Sequence, residues 1–245
     1  MSSLLGEGIP WICIPIIGTT GEEIIAQAEK IAKTEAELVE WRLDYFQSLS
    51  DIEALVQLLD HLKEIFFRQQ LIVTIRSKAQ GGEADLEEAK LARILEIAAG
   101  HTAVSYVDIE WFALQKPERL LRRIQQRGGK VIGSHHDFSG TPDSEILGLF
   151  LKEMCRSDLD IVKLACMPKC RSDVLRLMEI TEEFSERYPE KPLVTMSMGE
   201  LGKISRISGQ YFGSRITFGC LDQASAPGQI PYELLDSIIR GIQIK

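Results

Sequence analysis

The chain has 245 residues, of which 44% are hydrophobic and 26% are charged, a composition that is ordinary for a soluble globular protein. This length allows one large α/β domain or two smaller ones, and either arrangement can bury a full core. The formal net charge of −8 argues against a general nucleic-acid binder and against a protein that binds anionic membranes.

The five cysteines include no CxxC pair. Cys166 and Cys170 form a lone CxxxC without a second half, so a zinc site is not expected. An odd number of cysteines fits a reducing compartment, and the expected location is the cytoplasm. The first ten residues contain no basic segment leading into an apolar core, and no later stretch reaches the apolar length of a membrane span. We therefore predict neither a signal peptide nor a transmembrane helix.

Strand-like and helix-like segments alternate along the whole chain. Eight runs have the composition of buried strands: Trp11–Gly18, Leu38–Asp44, Gln70–Arg76, Ala103–Trp111, Lys130–Asp137, Leu159–Cys166, Pro192–Gly199 and Ile216–Cys220. Apolar residues at three- and four-residue spacing predict eight helices: Glu22–Lys33, Asp51–Phe67, Asp85–Ala99, Pro117–Arg127, Asp143–Cys155, Arg171–Arg187, Leu201–Tyr211 and Pro231–Gln243. Thr20, followed by Glu22 and Glu23, and the pair Ser50–Asp51 supply caps and early acidic residues for two of these helices.

Eight strand–helix units in a chain of this length predict an α/β protein of the (β/α)₈ TIM-barrel class. We expect a single domain over residues 1–245, in which residues 1–10 are a short N-terminal lead-in. The alternative is a doubly wound open sheet, but no glycine-rich GxGxxG turn follows the first predicted strand.

Lys163 lies in the middle of an apolar, partly β-branched run, Asp158–Pro168. Burial disfavours the charged ammonium, so more of the side chain is the neutral, nucleophilic amine. Such an amine can attack a ketone and form a Schiff base. Taken alone, the residue is equally explained as a lysine whose stem lies on apolar surface while its head reaches water.

In a barrel, the chemistry gathers at the C-terminal ends of the strands and in the loops that follow them. The alternation of side chains along Leu38–Asp44 puts Glu40, Arg42 and Asp44 on one face of the predicted strand. Charged groups on an inward face need partners or a ligand, because burying them unpaired is costly. These residues are therefore candidates for ligand binding, and a self-contained Glu40–Arg42 ion pair is the alternative.

Two further predicted strands end in charged residues. Arg76 follows an apolar strand and precedes a loop with Gly81 and Gly82, which suits a ligand-binding group beneath a mobile loop. Solvation of that loop is the alternative. On the next strand Asp108 and Glu110 share one face, and we expect them to support the site rather than to bind a ligand directly.

The predicted fifth strand carries two adjacent histidines. Because side chains alternate, only one of His135 and His136 can reach the barrel mouth, where an imidazole serves as a general acid or base near neutral pH. We expect His135 to pack or hydrogen-bond behind the site. Two core histidines held by backbone partners are the alternative.

The last two predicted strand ends supply apolar and polar candidates. Met196 and Met198 share one face and suit a soft apolar wall for a small ring, although barrel filling explains them equally. Arg206 is a candidate for bidentate binding of a carboxylate. Ser225 and Gln229, in the last loop, are neutral groups that suit ligand hydroxyls.

Taken together, these segments resemble one family. They are EWRLDYF (40–46), VTIRS and GGE (73–77 and 81–83), SHHDF and TP (134–138 and 141–142), DIVKLACMP (160–168), MSMGELGKISRISGQYFGS (196–214), ITFG (216–219) and SAPGQI (225–230). The family is type I 3-dehydroquinate dehydratase. The resemblance runs from Gly6 to Gln229, and its motifs fall in order at the ends of the predicted barrel strands.

The resemblance implies a hydro-lyase of the shikimate pathway that converts 3-dehydroquinate to 3-dehydroshikimate and water by syn elimination through a lysine Schiff base. It implies that Lys163 forms the imine, that His136 is the general acid/base and that Arg206 holds the substrate carboxylate. Met196 and Met198 match the wall against the substrate ring. The positions that match residues placing the hydroxyls and the covering loop are Glu40, Arg42, Arg76, Ser225 and Gln229. The family implies no cofactor or metal, a small anionic substrate, no nucleic-acid or membrane partner, and a homodimer.

One position departs from the family pattern. The family has Glu in the EGG of the third loop, where it orients the catalytic histidine and favours its protonated form, and this chain has Gln80. An amide can hydrogen-bond but adds no negative charge, so we expect tempered rather than lost activity. A weakly active or non-catalytic relative stays open as an alternative. So does another class I Schiff-base barrel enzyme such as an aldolase, although the HDF and SAPGQ segments count against it.

Overall fold

A computed structural model describes residues 8–244 of the chain. Its strands are β1 (Trp11–Ile16), β2 (Leu38–Arg42), β3 (Gln70–Thr74), β4 (Val104–Glu110), β5 (Lys130–Asp137), β6 (Ile161–Cys166), β7 (Leu193–Ser197), β8 (Ile216–Cys220) and β9 (Ile230–Pro231). Its helices are α1 (Gly21–Ile31), α2 (Ile52–Ile65), α3 (Glu88–Ala99), α4 (Pro117–Gln125), α5 (Ser144–Arg156), α6 (Arg171–Arg187), α7 (Lys203–Ile207), α8 (Gly209–Phe212) and α9 (Tyr232–Gly241). Residues 1–7, with most of the expected lead-in and the start of the resemblance at Gly6, lie outside the described residues, as does Lys245.

The described chain divides into two units, each an alternation of strands and helices. The N-terminal unit is Ile14–Ile132. The C-terminal unit consists of the described residues up to Cys13 together with those from Gly133 onward. The expectation of a single domain over the whole chain stays a prediction.

In the N-terminal unit, β2, β3 and β4 are neighbours and run parallel. β2 pairs with β3 up to Arg42 opposite Thr74, and β3 pairs with β4 up to Thr74 opposite Asp108. Because parallel strands end at the same edge of a sheet, the polar residues at the three carboxyl ends lie side by side. The strands themselves are buried and apolar, as expected for a parallel sheet.

In the C-terminal unit, β6 pairs with β7 in parallel, up to Cys166 opposite Ser197, and β1 pairs with β8 in parallel. A backbone hydrogen bond from Arg215 N to Leu193 O, 2.7 Å long, joins the chain entering β8 to the start of β7. β5 is the next strand beside β6. The carboxyl ends of these strands therefore also meet at one edge.

The helix starts follow the capping signals in the sequence. The side chains of Thr20, Asp51 and Asp143 accept hydrogen bonds from backbone N–H groups in the first turns of α1, α2 and α5. Pro117 is the first residue of α4, where its missing N–H costs nothing. The predicted cap Thr20 is confirmed, and in the predicted pair Ser50–Asp51 the capping residue is Asp51.

Most predicted element ends lie within three residues of the observed ones, and three differences change the description of the fold. β2 ends at Arg42, and Leu43–Tyr45 form a 3₁₀ turn in which the Asp44 carboxylate bonds back to the Arg42 guanidinium two residues earlier. The helix predicted over Leu201–Tyr211 is two short helices, α7 and α8. The two-residue strand β9, paired with the end of β8, was not predicted.

The core is apolar and its largest buried side chains are Trp41 and Trp111, both in the N-terminal unit. Among residues 8–244, no helix combines the length and the apolar character that crossing a membrane requires.

Candidate active site

Lys163 lies in β6, every residue of which is buried. The residue is 4% exposed, and its Nζ lies 4.3 Å from the centroid of the Phe218 ring in β8. A cation above an aromatic face is attracted by the negative face of the ring. Lys163 is opposite Val194 in the register of β6 and β7, so the alternation along β7 puts Met196 on the same face as the amine.

Arg206, from α7, brings a guanidinium into the same cluster. It is 1% exposed, and its Nη1 contacts the Phe218 carbonyl (3.5 Å) and the Met196 sulfur (3.8 Å). Its Nη2 donates to the carbonyl of Pro227 at 2.9 Å, and its buried Nε has no hydrogen-bond partner among the described residues.

Burial lowers the pKa of Arg206 to about 10, a tendency that Cys220 opposes weakly. Within the described chain no carboxylate forms an ion pair with this guanidinium. A buried charge without a counter-ion is costly, so the position favours an anionic ligand. The C-terminal unit thus joins an amine, a cation and an apolar wall through Phe218 and Met196.

The loop after β8 is held to this cluster by its backbone. The Pro227 carbonyl accepts hydrogen bonds from Arg206 and from the Gly199 N–H. Gly228 has φ +78°, and a Cβ there would lie 2.3 Å from the Gly199 oxygen, so only glycine fits. Ser225 and Gln229 bond to each other within this loop: Gln229 Nε2 donates to Ser225 Oγ (3.0 Å), and the Ser225 N–H donates to Gln229 Oε1 (2.7 Å).

The two histidines of β5 have different surroundings. The His135 ring packs edge-on against Phe150 of α5, with 5.0 Å between ring centroids, which confirms that this histidine packs behind the strand. His136 is half-buried at the carboxyl end of β5. A backbone hydrogen bond of 2.8 Å from Met167 N to Asp137 O ties this strand end to the chain leaving β6.

In the N-terminal unit, Arg42 pairs with Asp44 rather than with Glu40. Its Nε and Nη2 donate to the two Asp44 oxygens at 2.8 and 2.7 Å. Burial, which disfavours the cation, is outweighed by this hydrogen bond and charge, so the pKa of Arg42 is raised. Glu40 accepts from the Thr74 hydroxyl at 2.9 Å. The alternative of a self-contained Glu40–Arg42 ion pair is therefore wrong.

Arg76 is enclosed by two carboxylates of β4. Its Nη2 donates to Asp108 at 2.9 Å and its Nη1 to Glu110 at 3.1 Å. Burial acts against the cation, but the two acids outweigh it and raise the pKa of Arg76. Asp108 and Glu110 thus hold the Arg76 guanidinium from two sides.

The loop after Arg76 is folded, and backbone hydrogen bonds join its two ends; its mobility stays a prediction. The Ala84 N–H donates to the Arg76 carbonyl and the Lys78 N–H to the Ala84 carbonyl, both at 3.0 Å. Lys78–Gln80 form a 3₁₀ turn, with Gln80 buried. Gly82 packs so closely that a Cβ would lie 2.2 Å from the Arg76 oxygen.

The sequence and the fold of this chain are similar to those of known proteins. The profile of the family described as Type I 3-dehydroquinase matches residues 12–245. A 3-dehydroquinate dehydratase of Clostridium botulinum is 40% identical over 96% of this chain and 93% of its own length, and one of Enterococcus faecalis is 37% identical over 96% and 94%. The crystal structure of the type I enzyme of Clostridium difficile, solved with covalently modified comenic acid, has a TM-score of 0.93 at 34% identity, covering 97% of this chain and 94% of that one.

This chain belongs to the type I 3-dehydroquinase family. Membership makes it a hydro-lyase of the 3-dehydroquinate dehydratase class, which works in the shikimate pathway of aromatic amino acid biosynthesis. The similarity to solved type I dehydroquinases also confirms the predicted α/β class of the (β/α)₈ barrel.

Two contacts of this type I dehydroquinase were not predicted as parts of its site. Phe218 contacts Lys163 and Arg206, but the sequence pointed to it only as part of the ITFG motif. The alternation of side chains along β8 was the signal that could have placed it beside the amine. Asp44 was placed on the inward face, but its bond to Arg42 depends on the 3₁₀ turn that ends β2. Within residues 8–244, no cluster of three or more His, Cys, Asp or Glu side chains could hold a metal ion.

Proposed function

We propose that the chain converts 3-dehydroquinate to 3-dehydroshikimate and water by a syn elimination that passes through a Schiff base on Lys163. The observation that carries this proposal is the buried amine of Lys163, which lies above the ring of Phe218, next to the Arg206 guanidinium, which contacts the backbone carbonyl of the same residue and has no carboxylate partner in the described chain. The covalently modified ligand in the C. difficile relative supports a covalent mechanism in the family.

Binding begins with the substrate carboxylate on Arg206. The carboxylate supplies the missing counter-charge and a partner for the unbonded Nε, so the cost of burying the guanidinium is offset on binding. Met196 and Met198, both buried, form the apolar wall against the ring. The acidic surface of the chain does not oppose this, because local charge at a site outweighs the distant net charge.

The Lys163 amine then attacks the ketone carbon. The carbinolamine loses one water and becomes an iminium, which accepts an electron pair more readily than the ketone does. His136 removes a proton from the adjacent carbon, and the electrons move into the iminium to give an enamine. The enamine expels the neighbouring hydroxyl, which leaves as water with the proton that His136 returns. Water finally hydrolyses the imine and releases the product and the free amine.

The other site residues act on the hydroxyls and on the loops. We propose that Glu40, Arg42, Arg76, Ser225 and Gln229 place the substrate hydroxyls or the loops that carry their partners. The charge of Arg76 is already balanced by Asp108 and Glu110, so Arg76 contributes an oriented hydrogen-bond donor rather than an uncompensated positive charge. Gln80 occupies the position of the family glutamate, and the consequence proposed for it is a slower proton step.

The proposed location is the cytoplasm, and neither a nucleic acid nor a membrane is proposed as a partner.

The proposed activity is tested by mixing the purified protein with 3-dehydroquinate and following the absorbance of the conjugated enone of the product. We expect enone to appear with one product formed per substrate consumed. Substrate that binds without turnover would leave the non-catalytic alternative, and cleavage of a carbon–carbon bond would indicate an aldolase.

Replacing Arg206 with glutamine is expected to lower kcat/KM by about 10²-fold, mostly through KM, because an amide can still donate to Pro227 but carries no charge. The preference for 3-dehydroquinate over its methyl ester should disappear in the same variant. Arg187→Gln, which removes an exposed guanidinium from α6, is the matched control and should leave KM unchanged. A variant that keeps the wild-type preference for the acid would contradict the role of Arg206.

We further propose that the chain forms a homodimer through α5 and α6. Ile146, Leu149 and Leu175 are 41, 56 and 65% exposed on these helices. The two helices lie side by side with their N-terminal ends together, because Arg176 of α6 donates to the carbonyls of Thr141 and Pro142 just before α5. Exposed apolar side chains clustered in this way are typical of protein–protein contacts.

The charges around this apolar cluster favour a second copy of the chain as its partner. Most exposed acids lie at the start of α5 and along the second half of α6, and most exposed bases lie at the end of α5 and the start of α6: Glu145, Glu179, Glu182, Glu183 and Glu186, and Lys152, Arg156 and Arg171. Glu153 near the end of α5 and Arg187 at the end of α6, which pairs with Glu183, are the exceptions. A two-fold axis parallel to the two helices packs α5 of one copy against α6 of the other, so that the N-terminal end of α5 meets the N-terminal end of α6. Acid then faces base at both ends.

Sedimentation measurements are expected to show a dimer for the wild-type chain and a monomer for the Leu149→Glu/Leu175→Glu variant, because two buried carboxylates would lie against apolar surface. Phe67→Glu removes a residue that is 79% exposed in the N-terminal unit and is the control that should stay dimeric. A dimer that persists in the double variant would place the contact elsewhere.

A further inference from the structure

Asp44, in the turn after β2, is a buried carboxylate that accepts four hydrogen bonds. Its side chain is fully buried, and each of its oxygens accepts two hydrogen bonds. Oδ1 accepts from Arg42 Nε (2.8 Å) and from the Arg76 N–H (3.2 Å). Oδ2 accepts from Arg42 Nη2 (2.7 Å) and from the Glu83 N–H (3.1 Å). One carboxylate therefore joins an arginine side chain to both ends of the loop 76–84.

We infer that Asp44 is a positioning residue that couples the direction of the Arg42 guanidinium to the folded conformation of the loop 76–84. This inference rests on the proposed function for its link to substrate, because Arg42 is proposed there to bind it. The coupling itself rests only on contacts within the N-terminal unit.

The three guanidinium nitrogens of Arg42 differ in their hydrogen bonds, and this difference fixes the direction of the group. Nε and Nη2 are both on Asp44, whereas Nη1 has no hydrogen bond to the described residues. A two-point contact with a buried carboxylate fixes the plane of a guanidinium, which leaves Nη1 pointing in one direction. The Tyr45 ring, 5.0 Å from the guanidinium carbon, packs against the same group. Arg42 is thereby preorganised to donate from one nitrogen.

The loop side follows from where the two backbone bonds lie. The two backbone N–H groups that donate to Asp44 belong to Arg76 and Glu83, at the two ends of the loop 76–84. The Ser77 N–H donates separately to Glu110 at 2.8 Å. The Asp44 bonds therefore hold the two ends of the loop together, in addition to the backbone hydrogen bond between Arg76 and Ala84. If Asp44 loses its charge, both backbone N–H groups and the buried Arg42 lose part of their stabilisation together, because hydrogen bonds to charged groups are the stronger ones.

Asp44→Asn tests the coupling with two measurements on the whole protein. Lysyl endoprotease cleavage after Lys78, an exposed residue of the loop, is expected to become at least about tenfold faster, because the loop opens more often. The KM for 3-dehydroquinate is expected to rise about tenfold or more, with a smaller fall in kcat, because Arg42 loses its fixed direction while the amine and the histidine are unchanged. Asp236→Asn removes an exposed Arg–Asp contact of α9 and should change neither quantity.

A second variant keeps the inference testable if Asp44→Asn fails to fold. Arg42→Lys retains the positive charge but cannot hold both carboxylate oxygens, and it changes no atom that bonds to the loop. Coupling predicts faster cleavage after Lys78 in this variant too. Unchanged cleavage in both variants overturns the inference, and so does faster cleavage with an unchanged KM. If the wild-type protein does not turn over 3-dehydroquinate, the proposed function fails, and the cleavage rates alone decide whether Asp44 closes the loop.

Discussion

Lys163→Ala should lower kcat by about 10⁴-fold or more, because removing a covalent nucleophile abolishes the route through the iminium. The substrate should still bind, since Arg206 and the methionine wall are untouched, so equilibrium binding of 3-dehydroquinate should weaken much less than kcat falls. The expected measurement is enone formation at saturating substrate together with calorimetric binding.

Lys63→Ala is the control for this prediction, because Lys63 is exposed on α2 in the N-terminal unit. It should retain wild-type kcat. A Lys163→Ala protein that keeps more than about a tenth of wild-type kcat would show that the elimination proceeds without the imine.

His136→Ala is expected to lower kcat by about 10²- to 10⁴-fold, because the same imidazole takes the proton from carbon and returns it to the leaving hydroxyl. The imine itself should still form, since the lysine attacks before any proton leaves carbon. The variant should therefore accumulate the covalent intermediate during turnover, and mass spectrometry of the quenched protein should show a larger adduct fraction than in the wild type.

His135→Ala separates the chemical role of the neighbouring histidine from its packing role. His135 contacts Phe150 and faces away from the proposed chemistry, so its replacement should lower stability and change kcat far less. A His135 variant that loses as much activity as the His136 variant, at unchanged stability, would mean that the roles of the two histidines are exchanged.

The strand positions of the candidate site could be read from the sequence, because a parallel strand carries a nearly continuous apolar run in which a charged residue is conspicuous. Lys163 stands out in IVKLAC for that reason, and β6 indeed covers this segment. The contact with Phe218 could not be read in this way. It joins residues more than fifty positions apart, and alternation alone does not say which aromatic ring of another strand meets the amine.

The partners of the arginines were harder to predict than their positions. Alternation put Glu40, Arg42 and Asp44 on one face, but β2 ends at Arg42, and the 3₁₀ turn that follows brings the Asp44 carboxylate to the Arg42 guanidinium. Arg76 was predicted to bind a ligand from its place after a strand. The shared face of Asp108 and Glu110 was the available sign that two carboxylates would enclose it.

The loops differ because their conformation depends on hydrogen bonds that composition does not reveal. Gly81 and Gly82 predict a mobile loop, but they do not reveal that Gly82 allows a close approach to the Arg76 carbonyl. Ser225 and Gln229 were predicted as hydroxyl-binding groups, and they bond to each other within residues 225–229. Under the proposed function, substrate hydroxyls exchange with or add to this internal bond.

Borohydride reduction in the presence of 3-dehydroquinate tests the proposed chemistry most directly. Reduction converts an iminium into a stable secondary amine, so peptide mass spectrometry of the reduced protein should find one ligand-derived adduct, on Lys163, with activity lost in proportion. No adduct should form without substrate or in Lys163→Ala. Turnover that continues undiminished through reduction, or an adduct on a different lysine of the active wild-type protein, would contradict a Schiff base at residue 163.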